Sequence, residues 1–160
     1  MKHRAVTVIA AVIISPLCVG ASSPDIAAVR VAVFEVLFGE QTDLKNLVLF
    51  LSVGERPQDT NGVARDPDAE VLRQLRDRGW ETEPGSRAAP FDKVAGVRDA
   101  TSGKRGIWFY VGHVEWTSPS EVAVYGEFWA NGKSSEVARY RLSREKDAWK
   151  LISRSSIRKS

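Results

Sequence analysis

Two side chains in the second half of the chain have the types and the spacing of an acid–base pair. His113 and Glu115 stand two residues apart in a segment rich in β-branched and aromatic residues. Residues i and i+2 of a strand project from the same face, so a carboxylate would orient an imidazole acting as general base. No serine, cysteine or metal-ligand cluster with a recognisable spacing surrounds His113. The simpler interpretation is a histidine with a neighbouring carboxylate at the rim of a sheet.

A second group of residues has the composition of a ligand pocket. It combines tryptophan and tyrosine rings, a glycine that leaves a gap, one carboxylate and two guanidinium groups. Apolar walls supply affinity, and a few placed polar groups supply orientation. The alternative is that helices cover these rings as part of the core. The predicted ligand-binding residues are Trp108, Tyr110, Gly112, Trp116, Tyr125, Glu127, Trp129, Arg139 and Arg141.

Four successive strands would position these residues. The segments 107–116, 121–130, 136–143 and 148–153 are rich in Val, Ile, Tyr, Phe and Trp, and polar turns bearing Pro, Gly or charged residues separate them. Connections this short force antiparallel neighbours. The sequence therefore predicts a four-stranded antiparallel meander.

Regular alternation assigns the side chains of these strands to two faces. A four-residue turn sets Trp116 opposite Glu121, which places Val114 and Trp116 on the face of the other tryptophans. In the last hairpin, pairing Leu142 with Trp149 puts the apolar side chains of both strands on one face of the sheet. The reverse side is then mostly basic and consists of Val137, Arg139, Arg141, Lys150, Ile152 and Arg154.

The turn at Asn131-Gly132 decides how the two halves of the sheet join. A tight two-residue turn, which Asn-Gly favours, puts the basic side on the Phe/Val face and sets Glu127 against Glu136. A five-residue loop over 131–135 instead makes the Trp/Tyr face continuous with the basic side. We favour the five-residue loop, because the tight turn would press arginines against the helices.

The N-terminal half supplies helices and one buried strand. Helices are predicted over 23–39 and from the Asp66-Pro67-Asp68 cap to Arg78, with a buried strand over 46–53 and a short edge strand over 91–97. The predicted fold is α+β: two or three N-terminal helices and a buried strand packed on a curved C-terminal four-stranded sheet. Residues 22–160 would form a single domain.

The first 21 residues have the pattern of a signal peptide. A short basic segment precedes a mostly apolar run from Ala5 to Ala21, and small residues stand at Val19-Gly20-Ala21. We expect cleavage near Ala21 and a periplasmic or secreted protein. An uncleaved anchor and lipidation at Cys18 are the alternatives.

Composition narrows the classes of partner. Removing Lys2 and Arg4 lowers the formal net charge from +3 to +1, and the one cysteine leaves with the signal. A nearly neutral, exported domain is a poor candidate for binding nucleic acid. No membrane span in the mature chain, no metal and no cofactor are expected.

Several short motifs are spaced along most of the mature chain: Leu47-Val48-Leu49, Asp66-Pro67 with Leu72 and Leu75, Ser86, Asp99-Ala100-Thr101-Ser102-Gly103, Val114-Glu115-Trp116-Thr117-Ser118 and Trp149-Lys150-Leu151. In these motifs the chain resembles a group of uncharacterised exported bacterial proteins. In architecture alone, a helix followed by a curved sheet is also similar to the cone-shaped folds of the nuclear-transport-factor-2-like (cystatin-like) superfamily, which contains both enzymes and binding modules.

The sequence therefore favours a non-catalytic binding module that takes a small molecule or a protein on the aromatic and basic face of its sheet. One alternative is a small hydrolase- or isomerase-like enzyme with a cone-shaped pocket. The other is an interaction subunit of the cell envelope, as a monomer or a homodimer.

Overall fold

The computed structural model describes residues 23–54, 64–90, 96–131 and 134–159. These residues form an α+β fold with both helices in the N-terminal half, as predicted. The helices are α1 (Ser23–Gly39) and α2 (Ala69–Asp77), and a 3-10 turn covers Gly85–Arg87. The strands are β1 (Val48–Val53), β2 (Thr82–Pro84), β3 (Val97–Arg98), β4 (Arg105–Ser118), β5 (Glu121–Asn131), β6 (Ser134–Glu145) and β7 (Ala148–Lys159).

Within the described part of the chain, all seven strands belong to one mixed sheet. Its order is β2-β1-β4-β5-β6-β7, and β3 pairs with the start of β4. β1 runs parallel to both β2 and β4, whereas β4 to β7 follow one another as antiparallel neighbours. The prediction of a four-stranded sheet with a separate buried strand was therefore wrong. Parallel pairing between distant segments leaves no signal in local alternation.

Helix α1 is buried around most of its circumference. Val29, Val31 and Phe34 are fully buried, and Phe38 packs edge-on against Phe109 of the sheet, with ring centroids 4.9 Å apart. The helix packs against the sheet and against α2. A helix in such a position needs apolar residues on most of its sides and not only along one stripe. This explains why α1 is hydrophobic nearly all round.

Helix α2 is amphipathic and ends as its sequence predicts. Val71 and Leu75 face the core, whereas Arg73 is exposed and bonds Glu70 and Asp77. Gly79 follows the helix with φ of +89°, a left-handed conformation that glycine adopts at little cost. No helix among the described residues is long and apolar enough to cross a membrane.

The sheet has a core face and an open face. The core face packs on α1, and we define the open face as the opposite side of β4, β5 and β6. The segment after β2 covers one end of the open face, where Val48, Phe50 and Val97 form a small apolar cluster. The core-face residues of β4 to β7 are Ile107, Phe109, Val111, Val114, Val122, Val124, Phe128, Ala138, Tyr140, Leu142 and Trp149.

A β-bulge in β4 overturns part of the predicted alternation. Trp108 lies opposite Trp129 as predicted, but the register shifts between Val111 and Val114. Trp116 consequently lies opposite Val122 instead of Glu121. An extra residue in one strand reverses the faces beyond it, so Val114 and Trp116 belong to the core face. Their assignment to the open face was wrong.

The last hairpin closes in a tighter turn than predicted, with Glu145 paired to Ala148, and a second bulge follows in β7. Leu142 lies opposite Leu151, and Tyr140 lies opposite Arg154, with a register shift between these pairs. The predicted pairing of Leu142 with Trp149 was wrong. Arg154 lies on the core side, where its guanidinium stands 5.9 Å from the Tyr140 ring centroid and 2.6 Å from Glu40 Oε1.

Two predicted segments fall outside the described residues. The signal sequence lies in residues 1–22, and most of the predicted edge strand lies in 91–95, before β3. The sequence pattern predicts no strand at β2, and it ends the last strand at Ser153, whereas β7 continues to Lys159.

Candidate functional site

The open face brings together most of the predicted ligand-binding residues. Tyr125 of β5 lies directly opposite Arg139 of β6, and Tyr110 of β4 lies directly opposite Glu127 of β5. Paired residues of neighbouring strands share a face. Trp108, Trp129 and Arg141 occupy equivalent positions on the same strands.

The β5–β6 turn is neither of the two predicted turns. Asn131 pairs with Ser134, after a register shift between Trp129 and Asn131. Residues 132 and 133 between them lie outside the described residues. The irregularity at the end of β5 produces the faces that the five-residue loop predicted, although the pairing differs by two residues.

A straight row of side chains crosses four strands of this face. Tyr110 is paired with Glu127, Glu127 with Val137, and Val137 with Arg158. A hollow of about 460 Å³ lies over the row, and we call it the tyrosine hollow. It is lined by Tyr110, Tyr125, Gly126, Glu127, Val137, Ile157 and Arg158.

The last strand contributes two residues to the hollow that the sequence did not predict. Ile157 is the extra residue of a bulge between Ser156 and Arg158, and it is 58% exposed. The bulge places Arg158 opposite Val137 and therefore on the open face. The β-branched Ile157 was a signal that the strand continues past Ser153, but regular alternation alone could not locate the bulge.

Glu127 is the carboxylate of the tyrosine hollow. Only 21% of its side-chain surface is exposed to solvent. Its Oε1 stands 3.6 Å from an Arg158 guanidinium nitrogen. Burial raises the pKa of Glu127, and the positive charge of Arg158 partly offsets that rise.

The Arg139 guanidinium lies over the ring of Tyr125. The guanidinium carbon of Arg139 stands 5.7 Å from the ring centroid, a cation–π distance. The same guanidinium lies 3.0 Å from Glu115 Oε2. Glu115, predicted as the orienting partner of His113, therefore forms an ion pair with Arg139, a contact that the sequence did not indicate.

Arg141 and Gly112 lie beside the tyrosine hollow instead of lining it. Arg141 forms an ion pair with Glu121 at 3.1 Å. A Cβ atom on Gly112 would stand 3.5 Å from Tyr125 Cβ and 3.6 Å from Tyr110 Cε1. The predicted gap at Gly112 thus lies next to the two rings.

A smaller apolar hollow of about 290 Å³ occupies the covered end of the open face. Trp108 and Trp129 form one wall of this tryptophan hollow, and the remaining lining residues are Gly85, Ala88, Ala89 and Val97. The Trp108 indole donates a 2.9 Å hydrogen bond to Ser52 Oγ. The Trp108 ring also stacks on Tyr110 at 5.8 Å, and this stacked pair separates the two hollows.

Trp116 does not join either hollow. It lies on the core side, where its ring meets Trp149 edge-on at 5.6 Å. The bulge in β4 explains this position, because it reverses the faces after residue 113.

Comparison with known proteins adds no relative: no protein-family model, curated protein or solved structure matches the chain. Among the described residues, no group of three His, Cys, Asp or Glu side chains is arranged to hold a metal ion.

Proposed function

We propose that this protein is a binding module that takes a small molecule in the tyrosine hollow. One observation carries the proposal: the row from Tyr110 through Glu127 and Val137 to Arg158 crosses the floor of that hollow. The row combines an aromatic wall, an aliphatic floor and two opposite charges. Ligand sites are built from apolar walls with a small number of convergent polar groups.

The size and the exposure of the site support a small ligand. A volume of about 460 Å³ is within the range of small-molecule pockets. Tyr125 is 41% exposed and Ile157 is 58% exposed, so two large apolar side chains at the site remain available for contact. A bound ligand would remove this apolar surface from water.

Binding requires no group beyond those that line the hollow. Glu115, the carboxylate predicted to orient His113, forms an ion pair with Arg139 at 3.0 Å. A binding module uses the same rings and charges without a proton transfer.

We also propose export for this module. The basic start and the apolar run up to Ala21 support a periplasmic or secreted location. We further propose that the fold is similar to the cone-shaped folds of the nuclear-transport-factor-2-like superfamily. The ligand would then lie against the sheet.

An NMR titration with small aromatic fragments of different charge tests the proposed function. We expect backbone amide shifts at Tyr110, Glu127, Val137 and Arg158 for at least one fragment. Val137→Lys should abolish the shifts by filling the hollow. Ile152→Lys is the matched control, because Ile152 is an exposed residue of β7 outside the lining and should leave binding intact. Fragments that shift none of the four amides at millimolar concentration would refute the proposal.

A further inference from the structure

We propose that the tyrosine hollow selects organic cations: an ammonium group replaces the Arg158 guanidinium beside Glu127, and its apolar body packs on Tyr110 and Tyr125. The inference rests on the proposed function and adds the chemical class of the ligand.

The first argument is the unused bonding capacity of Glu127. A carboxylate accepts up to about four hydrogen bonds. Among the described residues, the ionic partner of Glu127 is Arg158, and the separation of 3.6 Å exceeds the usual length of an N–H···O bond. The carboxylate is mostly buried, with 21% of its side-chain surface exposed. An ammonium in the hollow would donate the hydrogen bonds that Arg158 does not.

The second argument is that Arg158 is easily displaced. Its side chain is 69% exposed, and it stands one residue before the end of β7. An ion pair whose arginine is this exposed holds that arginine weakly, because water solvates the released guanidinium nearly as well. A long, flexible arginine side chain is therefore free to swing into solvent when a ligand cation takes its place.

The third argument is the electrostatic character of the walls. Aromatic rings present a negative face, which attracts cations. Tyr125 already receives the Arg139 guanidinium at 5.7 Å, and Tyr110 lies directly opposite Glu127. An anionic ligand would meet these negative faces and the Glu127 carboxylate, and the two nearby cations, Arg158 and Arg139, already pair with Glu127 and Glu115.

Three fragments of the same shape test this selectivity. Benzylammonium, benzyl alcohol and phenylacetate share a benzyl group and differ in charge. We expect benzylammonium to bind the purified protein about tenfold more tightly than benzyl alcohol, a difference of about 1.4 kcal/mol. Phenylacetate should bind most weakly. Dissociation constants come from NMR titrations that follow the amides of Glu127 and Val137.

Two pairs of variants identify the groups responsible. Glu127→Gln should lower benzylammonium affinity to that of benzyl alcohol, whereas Glu121→Gln, the same change on the same strand outside the hollow, should not. Arg158→Gln should increase benzylammonium affinity, because it removes the competing cation. Lys150→Gln on the same strand is its control, since Lys150 pairs with Glu145. A gain in affinity cannot result from misfolding.

The outcomes separate the two proposals. Tighter binding of phenylacetate, or equal binding of all three fragments, would overturn the cation preference and leave a ligand site in place. A loss of benzylammonium affinity in Arg158→Gln would also overturn the preference. No binding of any fragment would overturn both proposals.

Discussion

Tyr125 and Arg139 lie directly opposite each other on β5 and β6, with the guanidinium carbon 5.7 Å from the centre of the tyrosine ring. This pair fixes the relation between the aromatic half and the basic half of the sheet. In the alternative register Arg139 would share a face with Phe128 and project towards α1. The observed register instead places Glu127 between Tyr110 and Val137 on the open face, away from α1.

The two glycines of neighbouring strands should respond differently to the same small change. A Cβ atom on Gly126 would stand 2.7 Å from the buried Tyr140 ring and 3.2 Å from Leu37, whereas one on Gly112 would find its nearest neighbour at 3.4 Å. We expect Gly126→Ala to destabilise the protein by about 1–3 kcal/mol, as overpacking does. Gly112→Ala should cost less, and urea denaturation compares the two. Equal losses would contradict the assignment of these glycines to opposite environments.

Gly112→Leu extends this comparison to the site. The longer side chain would be pushed against the Tyr110 ring, which stands 3.6 Å from the Cβ position, and against Tyr125, whose own Cβ stands 3.5 Å from it. We expect weaker binding of benzyl fragments, because the walls of the hollow must move. Unchanged affinity in a folded Gly112→Leu protein would show that the rings do not contact the ligand.

Trp149 should be essential to the core. It is 9% exposed and meets Trp116 edge-on, so Trp149→Ala should destabilise the protein by about 3–5 kcal/mol. Ile152→Ala, at an exposed position of the same strand, should change stability by less than about 0.5 kcal/mol. Denaturation midpoints measure both. A loss below about 1 kcal/mol for Trp149→Ala, within the range of surface changes, would contradict its burial.

The raised pKa of Glu127 should be visible in the pH dependence of stability. Its pKa is higher in the folded protein than in the unfolded chain, because burial disfavours the charge and Arg158 only partly compensates. The folded state therefore holds this proton more tightly, and the contribution of Glu127 to stability decreases as the pH rises through the raised pKa. Among the described residues, Arg139 and Glu115 also stand near the row, where Arg139 lies over the Tyr125 ring and pairs with Glu115.

Glu127→Gln removes this titration. Relative to the wild type, the variant should gain stability between pH 3, where Glu127 is protonated, and pH 7, where it is ionised. Glu121→Gln, which breaks an exposed ion pair with Arg141, should show no such gain. Urea denaturation at both pH values provides the comparison. A relative loss for Glu127→Gln at pH 7 would mean that the Arg158 pair outweighs the cost of burial.

The export proposal has its own test. Protein recovered from the periplasm or the medium should begin at Ser22, as shown by mass spectrometry of the N-terminus. A protein that retains Met1, or that carries a lipid on Cys18, would contradict cleavage near Ala21.

Local sequence patterns predicted the helices and most of the face assignments. Ser23-Pro24 and Gly39 mark the ends of α1, and these signals depend on neighbouring residues only. The predicted pairing of Trp108 with Trp129 was correct, although β4 and β5 reach it from a Ser118–Glu121 pair through two register shifts and not from the predicted four-residue turn. The conclusion that Tyr125 and Arg139 share a face was also correct, although the predicted loop was wrong.

What the sequence missed depends on bulges and on distant pairing. Single extra residues in β4 and β7 moved Trp116 and Arg154 to the core face and brought Arg158 to the open face. Nothing in an alternating pattern marks where a strand will bulge. The parallel pairing of β1 with β4 joins segments far apart in the chain, so only the folded structure reveals it.

The position of bound benzylammonium tests the central claim most directly. Intermolecular NOEs should connect its ring and methylene protons to the rings of Tyr110 and Tyr125 and to the methyl groups of Val137 and Ile157. NOEs to Ala88 and Val97, which line the tryptophan hollow, would place the ligand elsewhere and contradict the account.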